Sequence, residues 1–252
     1  MGERDEVSLI SPYDPNYQDY NAVLGEPCKA HLFGTDEYGR DILSRILYGS
    51  RVSISIGIVA QIVASIVGIA LGSLAGYYGG WLDNVISRVM EIFQAFPDLI
   101  FAMAIMTFMG KGVLNLFIAL GLLTWVRTAR MIRASVMQLK EKEYIEASRA
   151  CGASTYWIIM KGLVPNCLST IIVLVTLGIP NAIMYEASLS FLGIGIQPPT
   201  PSWGNMISAA QTFISYRPVY SIMPGVAIMI TVIAFNIFGD GLRDALDPKL
   251  RG

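Results

Sequence analysis

Long apolar stretches alternate with short polar ones along most of this 252-residue chain. Each apolar stretch approaches the roughly 20 residues that a helix needs to cross a bilayer core about 30 Å thick. The cleanest stretch, residues 53–76, contains no charged residue. The pattern predicts an all-α integral membrane protein with five spans, at residues 53–76, 89–109, 113–132, 167–196 and 220–239.

The first 52 residues follow a different pattern. The stretch SPYDPNYQDYN is rich in Pro, Asp, Asn and Tyr, which is typical of an irregular loop. Residues 41–52 then place Ile42, Ile46 and Leu47 at helical spacing, which predicts an amphipathic helix lying at the membrane interface. On this basis we divide the chain into an extracytoplasmic N-terminal segment, residues 1–52, and a membrane domain, residues 53–252.

The distribution of Lys and Arg predicts the orientation, because cytoplasmic loops carry an excess of these residues. Residues 127–161 hold seven bases and three acids, whereas residues 197–219 hold a single base, Arg217. The 127–161 loop and the C-terminus are therefore predicted to be cytoplasmic. With five spans, residues 1–52 and 197–219 then lie outside, although no apolar run in the first 52 residues explains how they cross.

Composition supports a membrane protein and excludes several kinds of chemistry. The chain is 54% hydrophobic and only 15% charged, against about 25% charged residues in soluble domains. Cys28, Cys151 and Cys167 follow no disulfide or zinc spacing and are predicted to be free thiols, and His31 is the single histidine. No phosphate-binding loop, nucleophile motif or metal-ligand cluster occurs in the sequence. We therefore predict a non-catalytic protein with no metal and no cofactor of its own.

Two features inside the predicted spans are open to alternative interpretations. Gly68, Gly72 and Gly76 recur at the spacing that lets helices approach closely, which favours packing within the subunit over dimerisation. Glu186 is an ionisable residue within a span, the usual place to seek a functional group. It either lines a translocation pathway or bonds locally near the interface, and the second interpretation is favoured.

A polar, charged island interrupts the apolar pattern at residues 143–165. Residues 143–151 are typical of a short charged helix, and Gly152 supplies a bend that residues with a Cβ adopt less readily. Ser154 can cap a second short helix at residues 155–162, and Pro165 marks the start of the next span. Two interpretations of this island are open. Its composition alone favours a solvated loop at the membrane surface. If it instead forms an ordered helical hairpin, a docking site for another protein is indicated.

The order and spacing within this island resemble the EAA loop of bacterial ABC importer permeases. In that pattern Glu-Ala-Ala precedes a spaced Gly, which in turn precedes a spaced Ile-x-Leu-Pro. The matching positions are Glu146, Ala147, Gly152 and Pro165, and the replaced positions are Ser148 for Ala, Gly162 for Ile and Val164 for Leu.

Further stretches resemble the C-type permease of dipeptide, oligopeptide and nickel importers. They lie in the N-terminal segment, in the loop after the fourth predicted span and in the tail, so the resemblance covers nearly the whole chain. The matching runs are HLFGTD (31–36), GRD (39–41), LSR (43–45), SFLG (190–193), QPPTPSWG (197–204), FN (235–236) and GDGLRDALDP (239–248).

The resemblance implies a type I ABC importer transmembrane domain with cytoplasmic coupling helices, located in the prokaryotic plasma membrane. The implied partners are a second permease in a heterodimer, two cytoplasmic ATPases that hold ATP and Mg, an extracytoplasmic solute-binding protein and membrane lipid, with no nucleic acid. The residues implied to couple the permease to the ATPase are Glu146, Ala147, Ser148, Gly152, Ala153 and Pro165.

The resemblance also raises expectations about the missing span and the solute. Family members usually carry one more span, just before a segment like SPYDP, so we expect either a truncated reading frame or a member that translocates its tail without that helix. Di- or oligopeptides are the expected solutes, with nickel chelates or other small solutes as alternatives. A self-contained secondary carrier or channel is the alternative of a different class; internal repeats would support it, and none is seen.

Overall fold

A computed structural model of the chain describes residues 11–246. Helices dominate this part of the chain, and its only β-type pairing is an isolated antiparallel bridge between Thr35 and Asp41. The α-helices found there are α1 (Ile42–Tyr78), α2 (Gly80–Gln94), α3 (Asp98–Met109), α4 (Val113–Leu139), α5 (Glu143–Ala150), α6 (Thr155–Trp157), α7 (Leu168–Phe191), α8 (Trp203–Ala210) and α9 (Pro218–Leu246).

Four helical stretches are long and apolar enough to cross a membrane: α1, α4, Thr155–Phe191 and α9. The pair α2 and α3, bent by 92° between them, makes a fifth candidate span. The break lies just before Pro97, and this is expected because a proline disfavours helical geometry in the residue that precedes it. The prediction of an all-α membrane protein is confirmed, and the four or five candidate spans include the five that were predicted.

Two helix boundaries differ from the predicted ones. Helix α1 begins at Ile42, so the predicted interfacial helix at 41–52 is continuous with the first predicted span. The helix starts there because Asp41 caps it, its Oδ2 accepting the backbone N–H of Ser44 at 2.7 Å. Helix α7 ends at Phe191 rather than at residue 196, because Gly193 follows with a φ of 76° that does not continue a helix.

The described residues fall into two compact units. The first unit contains the residues up to Ile58 together with Met103–Leu116 and Asn181–Ala234. The second unit contains Val59–Ala102, Phe117–Pro180 and the residues from Phe235 onward. Each unit has its own set of internal contacts.

In the second unit, α1 and α4 approach closely because glycines of α1 face α4. A Cβ added to Gly68 would lie 2.7 Å from the Cβ of Thr128, and one added to Gly72 would overlap the backbone carbonyl of Ala129. Gly76 makes a similar approach one turn further along. The glycine stripe therefore packs within the subunit, which is the first of the two interpretations considered from sequence.

A charged pair joins α2 to α4 in the same unit. The guanidinium of Arg133 donates to both carboxylate oxygens of Asp83, through Nη2 at 2.6 Å and through Nε to the other oxygen. Nearby, the Lys140 ammonium donates to the carbonyl of Gly76 at 3.1 Å. A two-point guanidinium–carboxylate contact restrains direction as well as distance, so it holds the two helices in register.

Candidate functional site

The island at 143–165 forms a helical hairpin within the second unit. Helix α5 carries Glu143 and Glu146 in its first turn and Arg149 in its last, where each charge opposes the partial charge of the helix end. The guanidinium of Arg149 also lies 5.2 Å from the centre of the Tyr77 ring. Such a cation–π contact fastens the last turn of α5 to the end of α1.

Gly152 ends α5 in a closed turn. It adopts a φ of 79°, its N–H donates to the Arg149 carbonyl at 2.9 Å, and the N–H of Ala153 donates to the Ser148 carbonyl at 3.0 Å. This pair of bonds is the Schellman arrangement, in which a left-handed glycine follows the last helical residues. A Cβ on Gly152 would meet nothing within 4 Å, so the requirement for glycine here is conformational and not steric.

Ile145 anchors the hairpin. It is the one buried residue of α5, and it packs with Ile132 and Val136 of α4 and with Ile158 and Leu163. Gly162 makes this contact possible, because a Cβ there would lie 2.9 Å from the Cδ1 of Ile145. The position at which the EAA pattern has Ile is therefore used here for close packing of the two arms of the hairpin.

The second arm is not the separate short helix predicted at 155–162. Helix α6 begins after Ser154, whose hydroxyl accepts the backbone N–H of Trp157 at 3.3 Å, and the chain then runs in helical turns without a break into α7. Residues Ile158–Leu163 adopt a wider turn, with the Val164 N–H bonded to the Ile159 carbonyl at 2.9 Å. The widened turn has a local cause, because Pro165 supplies no N–H and its ring crowds the preceding turn.

The predicted coupling residues lie together on this hairpin and are largely accessible. Glu146, Ala147, Gly152 and Pro165 are exposed, and Ser148 and Ala153 are half-buried. Large apolar side chains accompany them at the surface: Tyr144, Tyr156, Trp157 and Met160 are 43–75% exposed. A polar helix end flanked by exposed aromatic residues is typical of a protein–protein contact surface.

Glu186 lies in the first unit, on α7, and is fully buried. Its Oε2 accepts the hydroxyl of Ser53 at 3.0 Å, and its Oε1 accepts the hydroxyl of Ser190 at 2.7 Å. Ser53 in turn accepts the backbone N–H of Trp203 at 3.3 Å, and Ser190 accepts that of Ile196 at 2.9 Å. The carboxylate thus joins α1 and α7 to the start of α8 by hydrogen bonds within the first unit.

The sequence did not indicate these partners of Glu186. Ser190 follows Glu186 at i+4, so helical spacing could have suggested that pair. Ser53 stands 133 positions away, and no local pattern connects it to Glu186. The Asp83–Arg133 pair was missed for the same reason, since 50 positions separate the two residues.

Residues 68–252 match the family described as "Binding-protein-dependent transport system inner membrane component". The chain is also 43% identical over 246 residues to the glutathione transport system permease protein GsiD of Pectobacterium atrosepticum, a match that spans 97% of this chain and 82% of that relative. The chain belongs to this family. The GsiD protein of Escherichia coli O6:K15:H31 is likewise 43% identical over 244 residues, 96% of this chain and 80% of that protein.

Solved structures share the fold of this family member. The inward-facing MetNI methionine ABC transporter superposes with a TM-score of 0.64 over 82% of this chain and 98% of that chain, at 21% identity. An amino acid ABC transporter solved with histidines gives a TM-score of 0.61 over 80% and 94% of the two chains, at 14% identity. At these identities the likeness concerns the fold alone, which is that of a type I ABC importer permease.

This chain is therefore a permease subunit of an ABC importer. Its relatives are named as permeases, the membrane components of such systems. Within residues 11–246, no group of three or more His, Cys, Asp or Glu side chains is placed to hold a metal ion. Cys28, Cys151 and Cys167 are free thiols, as predicted.

Proposed function

We propose that this subunit forms one half of the translocation pathway of an ATP-driven importer for small peptide-like solutes. A second, similar permease supplies the other half, and two cytoplasmic ATPases bind the ATP and Mg that drive transport. An extracytoplasmic binding protein delivers the solute. The family description, which names binding-protein-dependent transport, supports this set of partners.

The charges and the helix order support the proposed orientation. The 127–161 region, with seven bases and three acids, and the C-terminal tail face the cytoplasm. The hairpin precedes the candidate span that ends at Phe191, and the loop after Phe191 follows it, so the two emerge on opposite sides of the membrane. The 197–219 loop and the N-terminal segment, which are joined by a hydrogen bond from Arg217 Nε to the Leu24 carbonyl at 2.8 Å, then lie outside.

The hairpin is proposed to be the site at which the ATPase drives the permease. The observation that supports this role is its construction, with an exposed face on α5 and a buried anchor, Ile145, shared with α4 and the start of α7. Because the contact is close-packed, a displacement of α5 is passed to both of those helices rather than absorbed in a flexible loop. Glu146, Ala147, Ser148, Gly152, Ala153 and Pro165 form or shape the docking face.

The solute class is inferred from the relatives. Both GsiD proteins are named for the transport of glutathione, which is a tripeptide. Identity of 43% across nearly the whole chain supports a solute of similar chemistry, namely a short peptide or peptide derivative. The Glu186 cluster is proposed to hold the outer loop against α1, so that the wall of the pathway keeps its shape while the coupling end moves.

The test is transport by the complete complex in proteoliposomes, with both permeases, the ATPases and the binding protein. Ala147→Arg places a bulky charge on the exposed face of α5 and is expected to reduce copurification of the ATPases at least about tenfold. Gly152→Asp adds a carboxylate at the exposed turn, and it is expected to leave ATP hydrolysis intact while uptake of radiolabelled glutathione is lost. The turn itself survives, because Asp tolerates a positive φ better than most residues.

Asn84→Arg is the matched control, because Asn84 is exposed on α2 in the same unit but outside the hairpin. It is expected to leave copurification and uptake unchanged. Undiminished uptake in both hairpin variants would show that the hairpin does not couple the permease to the ATPase. Uptake that proceeds without ATP or the ATPases would show a self-contained carrier instead.

A further inference from the structure

A cavity of about 430 Å³ lies within the first unit, between the N-terminal segment, α1, the 197–202 loop, α8 and the start of α9. Its volume is within the range of about 300–1,000 Å³ that is typical of small-molecule sites. The buried part of its lining comprises Arg40, Arg45, Met206 and Tyr220, and the exposed part comprises Gln18, Tyr38, Pro198 and Pro199. Two buried cations in one cavity are unusual, since arginines are rarely buried unless they are paired.

Arg40 is fixed in place by groups of the chain itself. Its Nε donates to Asp36 Oδ2 at 2.6 Å, and its guanidinium carbon lies 4.5 Å from the centre of the Tyr38 ring. The other oxygen of Asp36 accepts the backbone N–H groups of Tyr38 and Arg40, both at 2.9 Å. Asp36 therefore orients Arg40, and its own acceptor sites are largely used in doing so.

The hydrogen-bond donors of Arg45 are not all paired with acceptors. Its Nη1 donates to the Pro15 carbonyl at 2.8 Å, but its buried Nε has no hydrogen-bond acceptor among the described residues. The nearest carboxylate oxygen, Asp36 Oδ2, lies 3.6 Å from that nitrogen, which is too long for a hydrogen bond. A guanidinium offers several N–H donors and stays charged. The two arginines thus present more donors than the surrounding acceptors can take up.

The carboxylate of Glu37 also lines the cavity. Its Oε2 accepts the hydroxyl of Tyr220 at 2.6 Å, and its Oε1 lies 3.7 Å from Arg40 Nη2. A carboxylate beside two arginines lowers the net positive charge of the cavity, which disfavours unselective binding of polyanions. It suits a solute that carries an amino group as well as a carboxylate.

We propose that this cavity binds the carboxylate end of the transported solute, with Arg45 and Arg40 as the recognising groups. The inference rests on the proposed function, because it takes the solute to be a zwitterionic, peptide-like molecule. A planar guanidinium can hold a carboxylate at two points, so it discriminates a free acid from an amide of nearly the same shape. The cavity thereby selects solutes at the outer side, in addition to the selection made by the binding protein.

The test is calorimetric binding to the complex of both permeases and the ATPases in lipid nanodiscs, without the binding protein. The probes are glutathione and trialanine, each as the free acid and as its C-terminal amide. At least one free acid is expected to bind at least about tenfold more tightly than its amide. Arg45→Gln is expected to remove that difference, whereas Arg51→Gln, an exposed position on the same helix, retains it.

A second variant keeps both arginines and tests the cavity itself. Ala209 of α8 lines it, and Ala209→Phe fills it, so binding of the free acid is expected to be lost with the charges unchanged. Assembly of each variant is checked by copurification of the ATPases. This variant gives a clear answer even if Arg45→Gln does not fold.

Three outcomes would overturn the proposal. The first is an equal affinity for free acids and amides in the unaltered complex, and the second is a preference that survives both Arg45→Gln and Ala209→Phe. The third is an Arg45→Gln complex that binds free acids normally but no longer captures the binding protein, which would identify an acidic side chain of that partner as the ligand. Parallel uptake assays distinguish failure of the cavity proposal from failure of the proposed function. If one of these outcomes occurs while ATP-driven uptake is present, only the cavity proposal is rejected. If ATP-driven uptake is absent, the proposed function is rejected.

Discussion

Replacing Gly72 with Ala measures how much the close approach of α1 to α4 contributes to stability. The added Cβ would lie 3.0 Å from the Cα of Ala129 and 3.1 Å from its carbonyl carbon, with the carbonyl oxygen nearer still. These atoms belong to a helix backbone and cannot rotate aside as a side chain can. The two helices must therefore separate by about 0.5–1 Å, which forfeits a quarter to a half of the local dispersion energy.

The expected loss of stability is best estimated by comparing Gly72→Ala with the same substitution at a second glycine, Gly225. A Cβ on Gly225 of α9 would meet nothing within 4 Å, so Gly225→Ala adds a methyl group without overpacking. Both substitutions gain the same helix propensity of about 1 kcal/mol, which cancels in the comparison. The overpacking of about 1–3 kcal/mol remains, so Gly72→Ala is expected to be less stable than Gly225→Ala by that amount.

The assay is thermal unfolding of the purified complex, followed by the loss of the monodisperse peak on size exclusion. For a chain of this size a difference of 1 kcal/mol shifts the midpoint by roughly 2–4 °C. Gly225→Ala is expected at or above the unaltered midpoint, and Gly72→Ala below it. Equal midpoints for the two variants, or a gain in Gly72→Ala, would refute the reasoning that backbone contact holds α1 against α4.

The remaining predictions concern polar contacts. Glu186→Ala leaves buried hydroxyl groups without their acceptor and is expected to cost about 2–5 kcal/mol of unfolding free energy, measured by thermal unfolding, with Glu186→Gln milder. Ser154→Ala removes a helix cap worth about 1 kcal/mol, so amide exchange at Trp157 should accelerate and the unfolding midpoint should fall by roughly 2–4 °C. Asp83→Ala leaves a partly buried Arg133 unpaired, so the double variant Asp83→Ala/Arg133→Met should be more stable than Asp83→Ala alone; an additive loss of stability would contradict this.

Some features of the fold and the site could be predicted because their cause is local. A run of apolar residues long enough to cross a bilayer forms a helix in lipid whatever surrounds it, because its backbone groups have no other partner there. Gly152 is another local case, since a left-handed turn after a helix favours a residue without a Cβ. The hairpin at residues 143–165 was predicted in this way, whereas the coupling role of Glu146, Gly152 and Pro165 rests on the family resemblance and stays a prediction.

Two helix boundaries were predicted incorrectly, because the residue pattern does not show whether two neighbouring helical segments join. The interfacial helix expected at 41–52 is continuous with the first span, because the helix that begins after Asp41 runs unbroken to Tyr78. The second arm of the hairpin runs on into α7, because Ile145 packs against Gly162 and Pro165 is accommodated by a wider turn.

The sequence alone thus determined the membrane class, the charge asymmetry that predicts orientation and the family to which the chain belongs. Only the tertiary structure showed what the buried polar residues contact: Glu186 with Ser53, and Arg45 in a cavity with Arg40. The physical reason is a difference in range. Spans and turns are governed by neighbours a few positions away, whereas a buried charge is stabilised by whichever groups the fold brings to it from elsewhere in the chain.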